Sequence, residues 1–287
     1  MNAAAPRKAE PGTGMIGSPA TEEGAPTAGA RTAEDRLAAV RAYWQEHVTD
    51  WPITRAPAGS PEFFRETEAY RFEKLDYLDR LVDYAGHAER EVLDVGCGLG
   101  NDTARFARHG ARVTGVDIAP NAVALAERNF RQRGLDGRFL VMNGEGLAFP
   151  DAAFDFVYCH TVLHFTPHPE GMVKEIHRVL KPSGRAVLMM VNSRSWMRFL
   201  HRAIKVEIDH LGAPVFHWYS SDRFEAMLRP FARVDLRFER FPVRTKVHTG
   251  AKARLYNRFF VDLYNALPRG LVARTGHHML AFVTKGP

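Results

Sequence analysis

Three glycines at alternate positions, Gly96, Gly98 and Gly100, lie between two carboxylates, Asp94 before them and Asp117 after them. Only glycine turns a chain so sharply at little steric cost and lets a ligand rest against bare backbone. A carboxylate at the end of the next strand suits the two hydroxyls of a ribose. The spacing does not favour a pyrophosphate cradle. The dinucleotide pattern G-x-G-x-x-G needs a glycine where Asn101 stands, and no Walker-type G-K-[ST] follows. Two histidines downstream, His160 and His164, have the right titration range to take a proton from a hydroxyl or ammonium near neutral pH.

The elements that must position these groups are legible from their periodicity. Glu91–Val95 is a short apolar run suited to a strand buried on both faces. Asn101–His109 has helical spacing and ends before Gly110, and Ala111–Asp117 is the next strand. A helix over Ala119–Arg133 precedes a third strand, Arg138–Met142, and Phe154–Cys159 is the fourth strand. Gly171–Leu180 is a helix stopped by Pro182, and Arg185–Val191 is the fifth strand. Strands alternating with helices in this order predict an α/β, Rossmann-like doubly wound sheet. Such a sheet opens its ligand site at the carboxyl ends of its strands.

Val92–Gly100 resembles, at every fixed position, the first motif V-L-D-V-G-C-G-x-G of class I S-adenosylmethionine-dependent methyltransferases. Asn143–Asp151 is similar to that family's adenine-holding G-D-A-x-x-L-P-F-x-D segment, with Asn143 in place of the usual aspartate. Phe154-Asp155 opens the fourth strand as the family's F-D-x-V does. Glu175–Gly184 resembles E-x-x-R-V-L-K-P-G-G, with Ser183 for the first glycine. These matches run in order from Glu91 to about Val191, roughly a third of the chain. The resemblance implies S-adenosylmethionine as cofactor, held by Asp94, Gly96, Cys97, Gly98, Gly100, Asp117, Ile118, Asn143, Gly144, Glu145 and Cys159. Asp94 would orient the loop and hold the amino-acid end, and Asp117 would take the ribose. The Asn143 oxygen would accept from the adenine amine without the aspartate's charge.

Composition narrows the alternatives. The chain has 287 residues, enough for one large α/β domain or two small ones, and a formal net charge of +6. No stretch approaches the ~20 apolar residues that span a bilayer. The two cysteines, Cys97 and Cys159, fall in or after buried strands, so neither a disulfide framework nor a zinc site is expected. The expected location is cytoplasmic. Residues 1–32 are rich in Ala, Gly, Pro and Thr and read as a disordered tail. They lack the apolar core of a signal peptide.

Residues 33–86 read as an N-terminal helical cap. Helices are expected over Ala33–Val48, with Leu37, Val40 and Trp44 on one face, and over Glu62–Tyr84. Helices in this position cover the cofactor in many methyltransferases of the class, so the resemblance offers Tyr70 and Arg71 as pocket residues. The methyltransferase domain follows over 87–287. From Ser193 onward 17 Lys and Arg face 7 Asp and Glu, so the basic excess belongs to the last third. There a helix is expected within Ser193–Leu211 and another over Ser221–Leu228. Phe231–Val243 and Met279–Thr284 read as the last two strands, the final one antiparallel as the resemblance implies. Between them an insertion, 244–276, carries Tyr256, Phe259, Phe260, Leu263, Tyr264 and Leu267 as an apolar face opposite Lys252, Arg254 and Arg258. A lid, a membrane-surface helix, a homodimer contact and a plain packing helix all fit that pattern.

Methyl transfer from a sulfonium is an in-line displacement whose main demand is alignment. His160 and His164 are the candidate bases, and His217 and Tyr219 the candidate acceptor contacts with Tyr70 and Arg71. The expected activity is methylation of an oxygen or nitrogen on a small molecule, as in the quinone-biosynthesis and natural-product tailoring enzymes this subtype resembles. One alternative is a methyltransferase of peptide or nucleic acid that uses the basic last third. Cys159-His160-Thr161-Val162 stands where an N-P-P-[YF] motif for base or glutamine methylation would be, so no stable nucleic-acid partner is expected. The other alternative is a non-catalytic cofactor-binding subunit.

Overall fold

The computed structural model describes residues 32–47, 53–206, 208–242 and 254–287. The expected tail up to residue 31, residues 48–52 from the end of the first expected helix and the start of the insertion over 244–253 lie outside the described residues. Thr32, at the end of the expected tail, caps the first helix. Its hydroxyl accepts from Asp35 N at 3.1 Å while Asp35 Oδ2 accepts from Thr32 N at 2.9 Å, a reciprocal cap.

Seven strands form one sheet in the order β3-β2-β1-β4-β5-β7-β6. They are β1 (Glu91–Val95), β2 (Arg112–Asp117), β3 (Arg138–Val141), β4 (Phe154–Cys159), β5 (Leu180–Val191), β6 (Arg233–Glu239) and β7 (His278–Thr284). Strand β7 alone runs against its neighbours, pairing antiparallel with both β5 and β6. Alternate residues of each central strand feed separate cores on the two faces. Leu93, Val95, Val157 and Cys159 join one, and Val92, Phe156 and Tyr158 join the other. The Pro182 turn takes the form of a bulge. The helix ends at Val179, Leu180 already pairs with Phe154, and the register shifts before Arg185 meets Phe156, with Ser183 at φ 59°.

The helices before β1 are α1 (Ala33–Glu46), α2 (Pro61–Lys74) and α3 (Tyr77–Leu81). The single helix expected over Glu62–Tyr84 is broken at Leu75–Asp76, which lets Tyr77 and Leu78 turn into the core. Helices α4 (Asn101–Arg108), α5 (Pro120–Arg133) and α6 (Pro169–Val179) follow β1, β2 and β4. The α6 residues of the E-x-x-R motif clamp the segment after β3. Arg178 donates to Leu147 O at 2.7 Å and Phe149 O at 2.8 Å, and Glu175 accepts from Leu147 N at 2.8 Å.

After β5 come α7 (Trp196–Ile204) and α8 (Ser221–Met227). Between β6 and β7 lie a π turn over Tyr256–Phe260, α9 (Val261–Ala266) and α10 (Arg269–Val272). The single apolar face expected for this insertion divides in two. Tyr256, Phe260 and Tyr264 stack along Trp196 of α7, while Phe259, Leu263 and Leu267 are exposed.

Candidate functional site

The glycine loop is pinned to the next strand by its own backbone: Gly96 N and Cys97 N donate to Val116 O at 2.7 and 3.0 Å. Gly96 has φ 75°, and a Cβ there would meet Val162 Cγ2 at 2.2 Å. Gly98 has φ 53° and nothing within 4 Å of where a Cβ would stand, so its bare backbone faces open space. Its N–H donates to Asp117 Oδ2 at 3.0 Å, and Ala119 N donates to the other oxygen at 2.9 Å. These two bonds fix the carboxylate at the end of β2, and burial pushes its pKa up.

Two cavities meet at this loop, and a third adjoins them at Thr161. The first has Asp117, Ile118, Asn143 and Gly144 on one side and Leu37, Val40 and Trp44 of α1 on another, with Val162, Phe165 and Met172 between. Apolar walls around one fixed carboxylate fit an adenosine. The amide oxygen of Asn143 already accepts from Glu145 N at 3.0 Å, which uses one of its two acceptor positions.

The second cavity is polar, lined by Asp94, Cys97, Gly98, Asn101, Asp102, Arg71, Tyr158 and His160. It fits a zwitterionic amino-acid end. Asp94 Oδ2 accepts from Thr103 Oγ1 at 2.5 Å. Burial, followed by the charge of Asp102, still pushes the Asp94 carboxyl up to about 7. Asp102 is fully engaged, taking Arg71 Nε at 2.5 Å, Tyr84 Oη at 2.9 Å and Tyr158 Oη at 3.1 Å.

The third cavity opens beyond Arg71. His164, Phe165, Phe216, Val191, His277 and His278 line it, with Lys74, Asp209 and Arg240 among its charged groups. Lys74 Nζ and Arg240 Nη2 share Asp209 at 2.7 and 3.3 Å. Thr161, at φ 61°, lines all three cavities. A left-handed conformation is costly for a β-branched residue. Its hydroxyl donates to His160 O at 2.6 Å.

The two candidate bases prove different from one another. His160 is held at both ring nitrogens, with Nε2 2.9 Å from Tyr77 Oη and Nδ1 3.4 Å from Arg71 Nη2. Burial, then the Arg71 charge, push its pKa well below the ordinary value. Tyr77 Oη also lies 2.5 Å from His278 Nδ1, whose other nitrogen is 3.2 Å from Arg240 Nη1. His160 is thus one link in a buried chain from Arg71 to Arg240. His164 packs against Phe165 and Phe216, and among the described residues its buried Nδ1 has no hydrogen-bond partner. Burial, with the charges of His217 and His210, pushes His164 down to about 3. Both rings are neutral at physiological pH, so the expectation of a base poised near 7 does not hold.

Of the four expected acceptor contacts, only Arg71 lines these cavities. Tyr70 is half-buried beside Lys74, whose Nζ lies 5.3 Å from the ring centre. His217 serves the loop backbone: its N–H donates to His164 O at 2.8 Å and its Nε2 lies 3.0 Å from Thr166 O. Tyr219 is buried in the core and donates to Glu170 at 2.8 Å. Cys159 also lies in the core, and Glu145 binds Thr166 Oγ1 and His168 N, so neither lines the first two cavities. Sequence reasoning missed Asp102, Thr161, Tyr158, Tyr77, Arg240 and His278. Asp102 had one local signal, a carboxylate in the first turn after the loop.

Residues 93–188 match the family model described as a methyltransferase domain. A ubiquinone biosynthesis O-methyltransferase of Coxiella burnetii is 30% identical over 47% of this chain and 56% of its own length. One of Xanthomonas oryzae pv. oryzae is 36% identical over 42% of this chain and 49% of its own. The chain thus spans about half the length of the curated relatives it matches. Among solved structures, a SAM-dependent methyltransferase from Aquifex aeolicus superposes with a TM-score of 0.51 at 18% identity. That match covers 78% of this chain and 98% of the other, a likeness of fold. The sheet order, the glycine loop with its two carboxylates and the match over residues 93–188 support a methyltransferase domain of the class I S-adenosylmethionine-dependent type, which implies S-adenosylmethionine as cofactor.

Proposed function

We propose that this protein methylates an oxygen of a small, acidic-hydroxyl acceptor, a phenol-type molecule, bound in the third cavity. The observation that carries the reading is Thr161, which lines the two cavities suited to the cofactor and also the aromatic-walled one beyond. Bound S-adenosylmethionine supplies a methyl group on a positively charged sulfur, an electrophile that an aligned oxygen takes up while the sulfur becomes a neutral thioether. Asp117 holds the ribose, Gly98 leaves room for the chain of the ligand, and Asp94 with the second cavity receives its amino-acid end.

The acceptor side lacks a strong base. Neutral His164 can accept a hydrogen bond at Nδ1 from an acceptor O–H, which orients the oxygen. At a pKa of about 3 it is too weak to deprotonate an aliphatic alcohol. A phenol-type hydroxyl ionises far more easily and can leave its proton to solvent, and the ammonium of Lys74 and the guanidinium of Arg240, both beside Asp209, favour its anion. Alignment then supplies most of the acceleration. The chamber walls, Phe165, Phe216 and Val191, suit a planar apolar body. An amine acceptor fits less well, because an ammonium is repelled by the same cations.

The test is transfer of labelled methyl from S-adenosylmethionine to phenols of graded acidity and to matched aliphatic alcohols. Label in the phenol methyl ethers alone supports the reading. Label in alcohols, or only in precipitable polymer from a cell extract, overturns it. The His164→Ala variant is expected to lower kcat by about 10- to 100-fold, with cofactor affinity by calorimetry unchanged.

A further inference from the structure

The segment between β6 and β7 has a face with no function in the site. Leu255, Phe259 and Leu263 recur every four residues on the side of the helix turned away from Trp196, and Leu267 and Leu271 follow. All five are between 41% and 72% exposed, where large apolar side chains of a folded chain are ordinarily covered. The helix packed beside it, α7, also exposes Phe199 and Ile204. We propose that this face docks the protein on an anionic lipid bilayer surface.

Charge selects the occupant. Residues 196–206 and 254–276 contain seven Lys and Arg against a single acid, Asp262. Arg202, Lys205, Arg254, Arg258, Arg269 and Arg274 are all exposed. An apolar stripe flanked by cations is the pattern of a helix lying in the plane of a membrane interface, with its side chains among the acyl chains and its cations among acidic headgroups. A second copy is a poor partner. Two-fold pairing sets the face against itself and brings like charges together with only Asp262 in these stretches to answer them. Nucleic acid would meet the cations but leave the leucines wet. The chain's own residues 1–31 contain only Met1, Met15 and Ile16 as large apolar side chains, too few to cover the stripe.

The experiment is co-sedimentation of the full chain with vesicles of phosphatidylcholine mixed with phosphatidylglycerol, and with vesicles of phosphatidylcholine alone. Binding is expected to the mixed vesicles, weaker to the neutral ones, and to fall as salt rises. Phe259→Ser with Leu263→Ser is expected to lower the partition constant by about tenfold or more. Arg254→Gln with Arg258→Gln is expected to abolish the preference for the anionic vesicles. Both variants alter exposed side chains, and unchanged melting verifies the fold. No binding to either vesicle, or binding that neither variant alters, overturns the proposal. So does a dimer in sedimentation velocity that the serine variant dissolves, which would make the face a self-association surface.

Discussion

Arg71 Nε lies 2.5 Å from Asp102 Oδ2, and this buried pair joins helix α2 to the helix that leaves the glycine loop. A buried pair gains stability only when its remaining polar atoms are satisfied. Here Tyr84 and Tyr158 complete the carboxylate. Breaking one side leaves the other charge stranded. The Arg71→Met variant is expected to lose about 3–5 kcal/mol in urea denaturation. Arg71→Met with Asp102→Asn is expected to recover part of it. A double variant as unstable as the sum of both singles would show that the two are uncoupled.

Two glycines of one loop are expected to respond differently to the same added methyl. Gly96→Ala forces a Cβ to 2.2 Å from Val162, so the loop must shift and the fold itself weakens. Gly98→Ala meets no protein atom within 4 Å and carries only the left-handed backbone cost, about 1–2 kcal/mol. Its methyl instead occupies the open side of the loop. Calorimetry is expected to find Gly98→Ala folded but weakened in S-adenosylmethionine binding.

Stability is expected to fall as pH drops from 7 toward 5. Burial lowers the pKa of His160, His164, His277 and His278. Each takes up its proton in the unfolded chain near pH 6.5 but resists in the folded one, so their stabilisation is present above 6.5 and lost below it. For His164, held at about 3, the loss by pH 5 is about 2 kcal/mol. Asp94, raised to about 7, acts in the opposite sense: the folded state holds its proton longer and gains as pH falls. One carboxyl offsets one histidine, and Asp117, also raised, adds a smaller opposing effect. The histidines prevail. Melting temperatures across this range check the sign, and His164→Asn is expected to flatten the profile.

Asp94 also links the cofactor to protons. A carboxyl near 7 is half protonated at neutral pH, and receiving a cationic amino group favours its charged form. Binding of S-adenosylmethionine is therefore expected to release up to one proton and to tighten as pH rises from about 6 to about 8. Titration calorimetry in two buffers of different ionisation enthalpy measures the proton count. Asp94→Asn is expected to remove the dependence.

The cofactor half was legible because its signals are local. Gly96 and Gly98 adopt positive φ and Asp117 ends a strand, so spacing marks the loop, while Asn143 and the segment holding Glu175 and Arg178 were read through the family resemblance. The acceptor half was not. His164 faces Phe216, His160 reaches Tyr77, and Tyr77 reaches His278 across 201 residues of sequence. No periodicity encodes such meetings. His277 and His278 fall between the expected insertion and the expected last strand, and Arg240 entered only the count of basic residues in the last third. Histidine identity suggested bases at 160 and 164, but the burial that lowered their pKa values is a property of the assembled fold. The insertion failed for a related reason. Six apolar residues read as one face, although the helix spends half of them on Trp196.

Trp44 lines the first cavity, and its ring stands 4.8 Å from that of Phe165, which lines both the first cavity and the third. The neighbouring Tyr43 hydroxyl lies 3.1 Å from His210 Nδ1, another residue of the third cavity. Helix α1 thus lines the first cavity and touches two side chains that line the third. If a ligand in one cavity shifts α1, linkage requires that the change in affinity be the same factor in both directions.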